Sequence, residues 1–244
     1  MRDLDGELGA LVIHGFTGTP FEVRYLADQL AGARITAISP VLAGHGTSVA
    51  DLERTTWQDW VAGIERDLDV LAGRVRHVAL VGQSLGGLLA LYVASRRRDV
   101  CAVASLAAPL WLDGIAATVA RWTAPGGWLA GIKRLPKLGS DVRDRAVSRA
   151  NPGYNAIPTR ALAELMTFMT VVDDALPAIT APVLVVHAEH DHTAPVACAS
   201  RIAAKTGGRV EILPESYHLI AADVERDRVA TLVTDFLKGS ACAT

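Results

Sequence analysis

Ser84 lies in Gly82-Gln83-Ser84-Leu85-Gly86-Gly87, between the apolar run His77-Val78-Ala79-Leu80-Val81 and a proline-free stretch from Leu85 to Arg98. The run suits a strand covered on both faces, and the stretch, through Leu88, Leu89, Leu91 and Tyr92, suits a helix packed against a sheet. A serine caught between the two has to make a very sharp turn. That turn pushes its side chain clear of the backbone, and flanking glycines avoid the Cβ clashes of the bend. A hydroxyl lifted out at a helix N-terminus is placed to act as a nucleophile. Taken alone, the same string would also fit a tight strand–helix connection with a serine cap.

A serine hydroxyl needs a base, and histidine, with an ordinary pKa near 6.5, suits the task. Of His14, His45, His77, His187, His190, His192 and His218, the last follows the final strand pattern on the loop Glu215-Ser216-Tyr217-His218. That loop should reach the sheet edge where Ser84 sits. The base in turn needs an acid that holds its tautomer and offsets its charge. Asp191, just beyond the strand pattern Val183–Val186, completes the chain order Ser84, Asp191, His218. Glu189 and Asp113 compete for the same role, Asp113 because it follows the preceding strand.

An acyl carbon under attack develops an oxyanion, which calls for preorganised N–H donors. His14-Gly15-Phe16-Thr17-Gly18 directly follows the first strand pattern, and its glycines let the backbone turn amides inward. The Phe16 and Leu85 N–H groups are the expected donors. The segment His187-Ala188-Glu189-His190-Asp191-His192 also carries metal-ligand types, but glutamate stands where a metallohydrolase pattern needs histidine. No metal and no cofactor is expected.

These groups must be positioned by the rest of the chain. Apolar β-type runs at 10–13, 34–38, 78–81, 100–107, 183–186 and 210–213 alternate with helical patterns at 21–31, 56–72, 85–98, 196–205 and 224–237. Such alternation predicts a mostly parallel sheet with helices on both faces, whose function collects at the carboxyl ends of the strands. Trp57 and Trp60 read as core on one helix face. Between Pro109 and Ala181 the alternation breaks: the segment holds Trp111, Trp122, Trp128 and a helical pattern over 160–172, and is too long for a plain connection.

With 244 residues and no linker-like stretch, one α/β domain is expected. A net charge of -2 without a basic cluster gives no footprint for nucleic acid, and no stretch is long and apolar enough to span a membrane. Cys101, Cys198 and Cys242 are odd in number and far apart. They read as buried or incidental thiols, and with the acidic Met1–Leu8 they point to the cytoplasm.

Four features in order, His14-Gly15-Phe16-Thr17-Gly18, Ala43-Gly44-His45-Gly46, the Ser84 string and the Asp191…His218 pair, resemble the α/β-hydrolase superfamily. Within it the chain looks most like small bacterial carboxylesterases and monoacylglycerol lipases. The resemblance implies an α/β-hydrolase core over 1–108 and 182–244, with 109–181 a helical cap inserted after the sixth strand of the full fold. The short N-terminus implies fewer strands than that full fold. It further implies Ser84 as nucleophile, His218 as base, Asp191 as its acid, and Phe16 and Leu85 as oxyanion donors. The expected substrate is a small-molecule acyl ester of short to medium chain length. A thioesterase, an amidase, a carbon–carbon bond hydrolase or a non-catalytic receptor would use the same scaffold.

Overall fold

The computed structural model describes residues 6–124, 126–137, 139–240 and 242. Along the chain run β1 (Gly6–Ile13), α1 (Phe21–Gly32), β2 (Thr36–Ile38), α2 (Val49–Arg54), α3 (Trp57–Ala72), β3 (Val75–Gln83), α4 (Leu85–Arg96) and β4 (Val100–Leu106). Then follow α5 (Gly114–Thr123), β5 (Arg134–Pro136), α6 (Arg145–Ala150), β6 (Ala156–Pro158), α7 (Thr159–Ala175), β7 (Val183–Ala188), α8 (Ala197–Thr206), β8 (Arg209–Leu213) and α9 (Arg226–Gly239). Six strands form one sheet in the order β2-β1-β3-β4-β7-β8, and every pairing is parallel.

Each side of the sheet has its own core. One joins Leu11, Ile13, Leu80 and Val103 to α3, α4, α7 and α8 through residues such as Trp60, Leu88, Phe168 and Ile202. The other joins Val12, Val81, Ala104 and Val186 to α1 and α9 through Leu26, Leu30, Val229 and Val233. The central strands carry apolar side chains on both faces for this reason. The α3 helix begins with a reciprocal cap between Thr56 and Asp59, and its apolar stripe buries Trp60, Ile64 and Leu68.

The strand order reverses around β1. From β1 the chain steps outward to β2 and then returns to β3 on the other side, so the carboxyl ends of β1 and β3 lie side by side, Ile13 opposite Gly82. Loops leaving such a point diverge and open a crevice. Asp191 and His218 leave from the ends of β7 and β8 on the same edge.

The segment between β4 and β7 holds α5, α6, α7 and an antiparallel pair, β5 with β6. Only α7 was expected from the sequence. Its Phe168 stacks on Trp57 at 5.4 Å between ring centres and is fully buried with Met169, so these two residues belong to packing against α3 and α4. Trp122 and Trp128 are exposed.

The reading of all three cysteines as separate thiols is corrected. Cys101 on β4 and Cys242 beyond α9 are joined in a disulfide with Cα atoms 5.3 Å apart, and Cys198 alone is free and buried. A spacing of 141 residues hides the pair in the sequence, because only the fold brings the C-terminal end back to β4. No helix among the described residues is long and apolar enough to cross a membrane.

Candidate active site

The turn at Ser84 is built by close backbone approach. A Cβ on Gly82 would lie 2.0 Å from the Gly86 carbonyl oxygen, and one on Gly86 would lie 2.2 Å from that of Ile13. Only glycine fits at either position. Ser84 itself takes φ 55° and ψ −118°, a region side-chain-bearing residues rarely adopt. Its N–H donates to the Leu106 carbonyl at 2.8 Å, and its own carbonyl receives the Leu88 N–H at 3.1 Å. The strained residue is therefore held from both the sheet and the helix.

His218 and Asp191 converge on this hydroxyl. The Ser84 Oγ–H points to His218 Nε2 at 2.9 Å, and His218 Nδ1–H donates to Asp191 Oδ2 at 2.8 Å. Asp191 Oδ1 accepts the N–H groups of Thr193 at 2.8 Å and Ala194 at 2.7 Å, so the carboxylate is fixed from its own loop. The buried ring of His187 lies 3.3 Å from Asp191 Oδ2 and 3.0 Å from the Ala194 carbonyl through the same Nε2. Both partners are acceptors, so that nitrogen carries the proton. The His218 loop is tied to the turn as well, because the Ala221 N–H donates to Gln83 Oε1 at 2.8 Å.

The electrostatics follow from this pairing. Burial works to raise the Asp191 carboxyl, but the His218 charge and the hydrogen bonds from His187, His218 and Ala194 outweigh it and hold the group below the usual carboxylate range. Burial would likewise lower the His218 pKa. The charge and hydrogen bond of Asp191, helped by Asp141 and Glu22, overcome that and raise it above 6.5.

The loop from Gly15 to Gly18 faces the turn across the β1–β3 junction. Its Gly15 N–H donates to Glu22 Oε2 at 3.2 Å and its Thr17 N–H to His45 Nε2 at 3.1 Å. His14 Nδ1–H donates to the Gly15 carbonyl, and its Nε2 accepts the Leu42 N–H at 3.2 Å. His14 and His45 thus clamp this loop to the one carrying Ala43-Gly44-His45-Gly46. Both are kept neutral: burial, then the neighbouring His45, lowers His14 to about 3, and burial lowers His45 to about 4. The Phe16 and Leu85 amides lie in this loop and at the start of α4, on either side of the β1–β3 junction.

The competing acids are elsewhere. Asp113 caps α5, accepting the Gly114 N–H at 2.7 Å, and Glu189 is exposed. No group of three or more potential metal ligands is assembled among the described residues. Sequence reasoning did not single out Asp141 or Asp223. Asp141 accepts from His192 Nδ1 at 2.9 Å, and its carbonyl accepts the Leu219 N–H at 3.0 Å. Asp223 accepts the N–H groups of Arg143, Asp144 and Tyr217. Together they fasten residues 141–144 to the loops bearing Asp191 and His218. Nothing local in the sequence marks contacts that span 51 or 80 residues.

A hydroxyl, an imidazole and a carboxylate in this line can pass one proton and generate a serine alkoxide-like nucleophile. Comparison with known proteins agrees in direction. The model of the alpha/beta hydrolase family matches residues 10–232. A thermostable monoacylglycerol lipase from Bacillus sp. (strain H-257) is 33% identical over 95% of this chain and 91% of its own. A carboxylesterase from Bacillus subtilis (strain 168) is 25% identical over 96% and 93%. Among solved structures, a metagenome-derived lipolytic enzyme described with LipS and LipT superposes with TM-score 0.86 at 27% identity, covering 98% of this chain and 96% of the other. A monoacylglycerol lipase from Paleococcus ferrophilus shares the fold with TM-score 0.77 at 18% identity, covering 94% and 93%.

Proposed function

The chain belongs to the alpha/beta hydrolase family and is a carboxylic ester hydrolase, and from that premise we propose that Ser84, His218 and Asp191 perform acyl transfer through a covalent acyl-serine. The observation that carries this reading is the 2.9 Å approach of Ser84 Oγ to His218 Nε2, with His218 Nδ1–H bonded to Asp191 at 2.8 Å.

In the proposed first half-reaction Ser84 Oγ attacks the ester carbonyl carbon as His218 Nε2 removes its proton. The carbonyl electrons move onto oxygen, where the Phe16 and Leu85 N–H groups receive the charge. The intermediate collapses, the carbon–oxygen bond to the alcohol breaks, and His218 returns the proton to the departing alcohol. Water then repeats the sequence on the acyl-serine, with His218 as base, releasing the acid and restoring Ser84. Throughout, Asp191 keeps Nδ1 protonated and Nε2 free to accept.

The substrates we propose are esters of short to medium acyl chains, monoacylglycerols among them, with residues 109–181 acting as a cap over the acyl pocket. The likeness to a monoacylglycerol lipase and a carboxylesterase over more than nine-tenths of the chain supports this choice. Nitrophenyl esters and monoacylglycerols of graded chain length test it. Turnover by the native chain, loss of about 10⁴-fold or more in Ser84→Ala, and fluorophosphonate labelling at Ser84 alone are expected. Activity on thioesters or amides with inert oxygen esters would overturn the substrate class.

We propose the cytoplasm as the location from the sequence, and the Cys101–Cys242 disulfide counts against it. A reducing compartment holds such a pair open. Alkylation of denatured cell extracts tests it: a tag on Cys198 alone fits the disulfide and an oxidising compartment, and tags on all three cysteines fit the cytoplasm.

A further inference from the structure

Glu22 is a buried carboxylate that the proposed reaction does not use. It belongs to the first turn of α1, yet it is 2% exposed and faces the loop that precedes the helix. Its Oε2 accepts the Gly15 N–H at 3.2 Å, and its Oε1 accepts Asn151 Nδ2 at 3.2 Å. The loop is shaped around it: a Cβ on Gly18 would sit 2.2 Å from Glu22 Oε2, and one on Gly15 would sit 3.2 Å away.

Burial raises the Glu22 carboxyl, while the charges of Lys137 and His218 and the hydrogen bonds from Asn151 and Gly15 work against that rise. A carboxylate taken out of water is costly unless its lone pairs are filled. Here each oxygen receives one donor, Oε2 from the Gly15–Gly18 loop and Oε1 from the 109–181 segment. The second connection is reinforced around Thr17: Lys137 Nζ donates to Thr17 Oγ1 at 2.8 Å, and the Tyr154 N–H donates to the Thr17 carbonyl at 2.8 Å. Asn151 is itself held, donating to Ser140 Oγ at 3.0 Å and accepting the Gly153 N–H at 3.0 Å.

The amides beside Phe16 are therefore both engaged, Gly15 by Glu22 and Thr17 by His45, and the Gly18 N–H closes the turn onto the Gly15 carbonyl at 3.2 Å. The plane of the Phe16 amide is set by these neighbours, since each peptide unit is rigid. We propose that Glu22 is a positioning residue: it aims the Phe16 N–H at the developing oxyanion and makes that aim depend on docking of the 109–181 segment. The inference rests on the reading that Phe16 is an oxyanion donor.

Glu22→Gln keeps the size but offers only one acceptor oxygen for two donors. In the folded variant kcat should drop about tenfold, with KM changed less than about twofold, because the interaction matters in the transition state. A trifluoromethyl ketone, which adds to Ser84 as a tetrahedral oxyanion, should bind weaker by the same factor, while a non-reactive substrate analogue keeps its affinity. Asn151→Ala, which removes the segment's hydrogen bond to Glu22 along with Asn151's own bonds to Ser140 and Gly153, should give a smaller fall of the same kind.

Active sites are counted by fluorophosphonate titration, so partial unfolding does not imitate the effect. Glu22→Gln with unchanged kcat per active site and unchanged ketone affinity overturns the proposal. So does parallel weakening of ketone and unreactive analogue, which marks general loosening. Full turnover in Ser84→Ala would instead sink the acyl-serine reading, whatever Glu22 does.

Discussion

Three histidines ring the Ser84 turn, and burial does not tell them apart: His14, His45 and His218 are 0%, 1% and 5% exposed. Their partners do. On the β8 side His218 faces the Asp191 carboxylate, which favours its charged form and raises its pKa. On the β1 and β2 side His14 and His45 face backbone amides and carbonyls, and burial drives them down to about 3 and about 4. One residue type is thus biased toward its charged form in one loop, where it is the proposed proton carrier, and held as a fixed neutral peg in the others. Neighbouring carboxylates, Asp191 first with help from Asp141 and Glu22, make the difference.

Asp191→Asn is the largest way to break that contrast. It removes the charge while keeping size, and offers Nδ1 a different partner geometry. A fall of about 10⁴-fold in kcat is expected. The wild-type acid limb of kcat/KM should inflect above pH 6.5, because the proposed base must be neutral and Asp191 keeps it protonated to higher pH. In Asp191→Asn the limb should move to lower pH. A limb left in place would show that Asp191 does not set the His218 equilibrium.

A smaller effect sharpens the other side. In the unfolded chain His14 and His45 take up protons near pH 6.5, but in the fold they resist until about 3 and about 4. Between those values the unfolded state binds more protons, so stability is full above 6.5 and declines as pH falls. His218 has the opposite sign: its contribution is present below 6.5 and lost as pH rises through its raised value. Urea midpoints taken from pH 7 to pH 4 should decline, and His45→Gln should remove about 3 kcal/mol of that dependence. An unchanged slope in His45→Gln would mean that His45 is not the neutral peg described.

What could be read in the sequence was local. The β3–Ser84–α4 turn announces itself because glycine is demanded on both sides within five positions. The central strands show as apolar runs because they are covered on both faces. Asp191 and His218 could be picked by their places after β7 and β8, since a parallel sheet delivers such loops to one edge. The segment 109–181 was illegible in detail. Its β5–β6 pair is three residues a side with a proline in each strand, and α6 is a single short helix with no buried face. Glu22, Asp141 and Asp223 went unmarked because the partners that tie them to other parts of the fold, Asn151, His192 and Arg143, lie 51 to 129 residues away. The Cys101–Cys242 bridge was missed on the same ground.

The unusual backbone at Ser84 has a consequence for anyone reshaping this molecule. A side-chain-bearing residue held at φ 55° carries a conformational cost of order 1–3 kcal/mol, which the surrounding sheet and helix sustain. Glycine would relieve that cost and abolish the hydroxyl in one step. At position 84, robustness and the proposed reactivity therefore pull in opposite directions, and campaigns that select only for heat resistance will tend to discard the hydroxyl proposed as nucleophile.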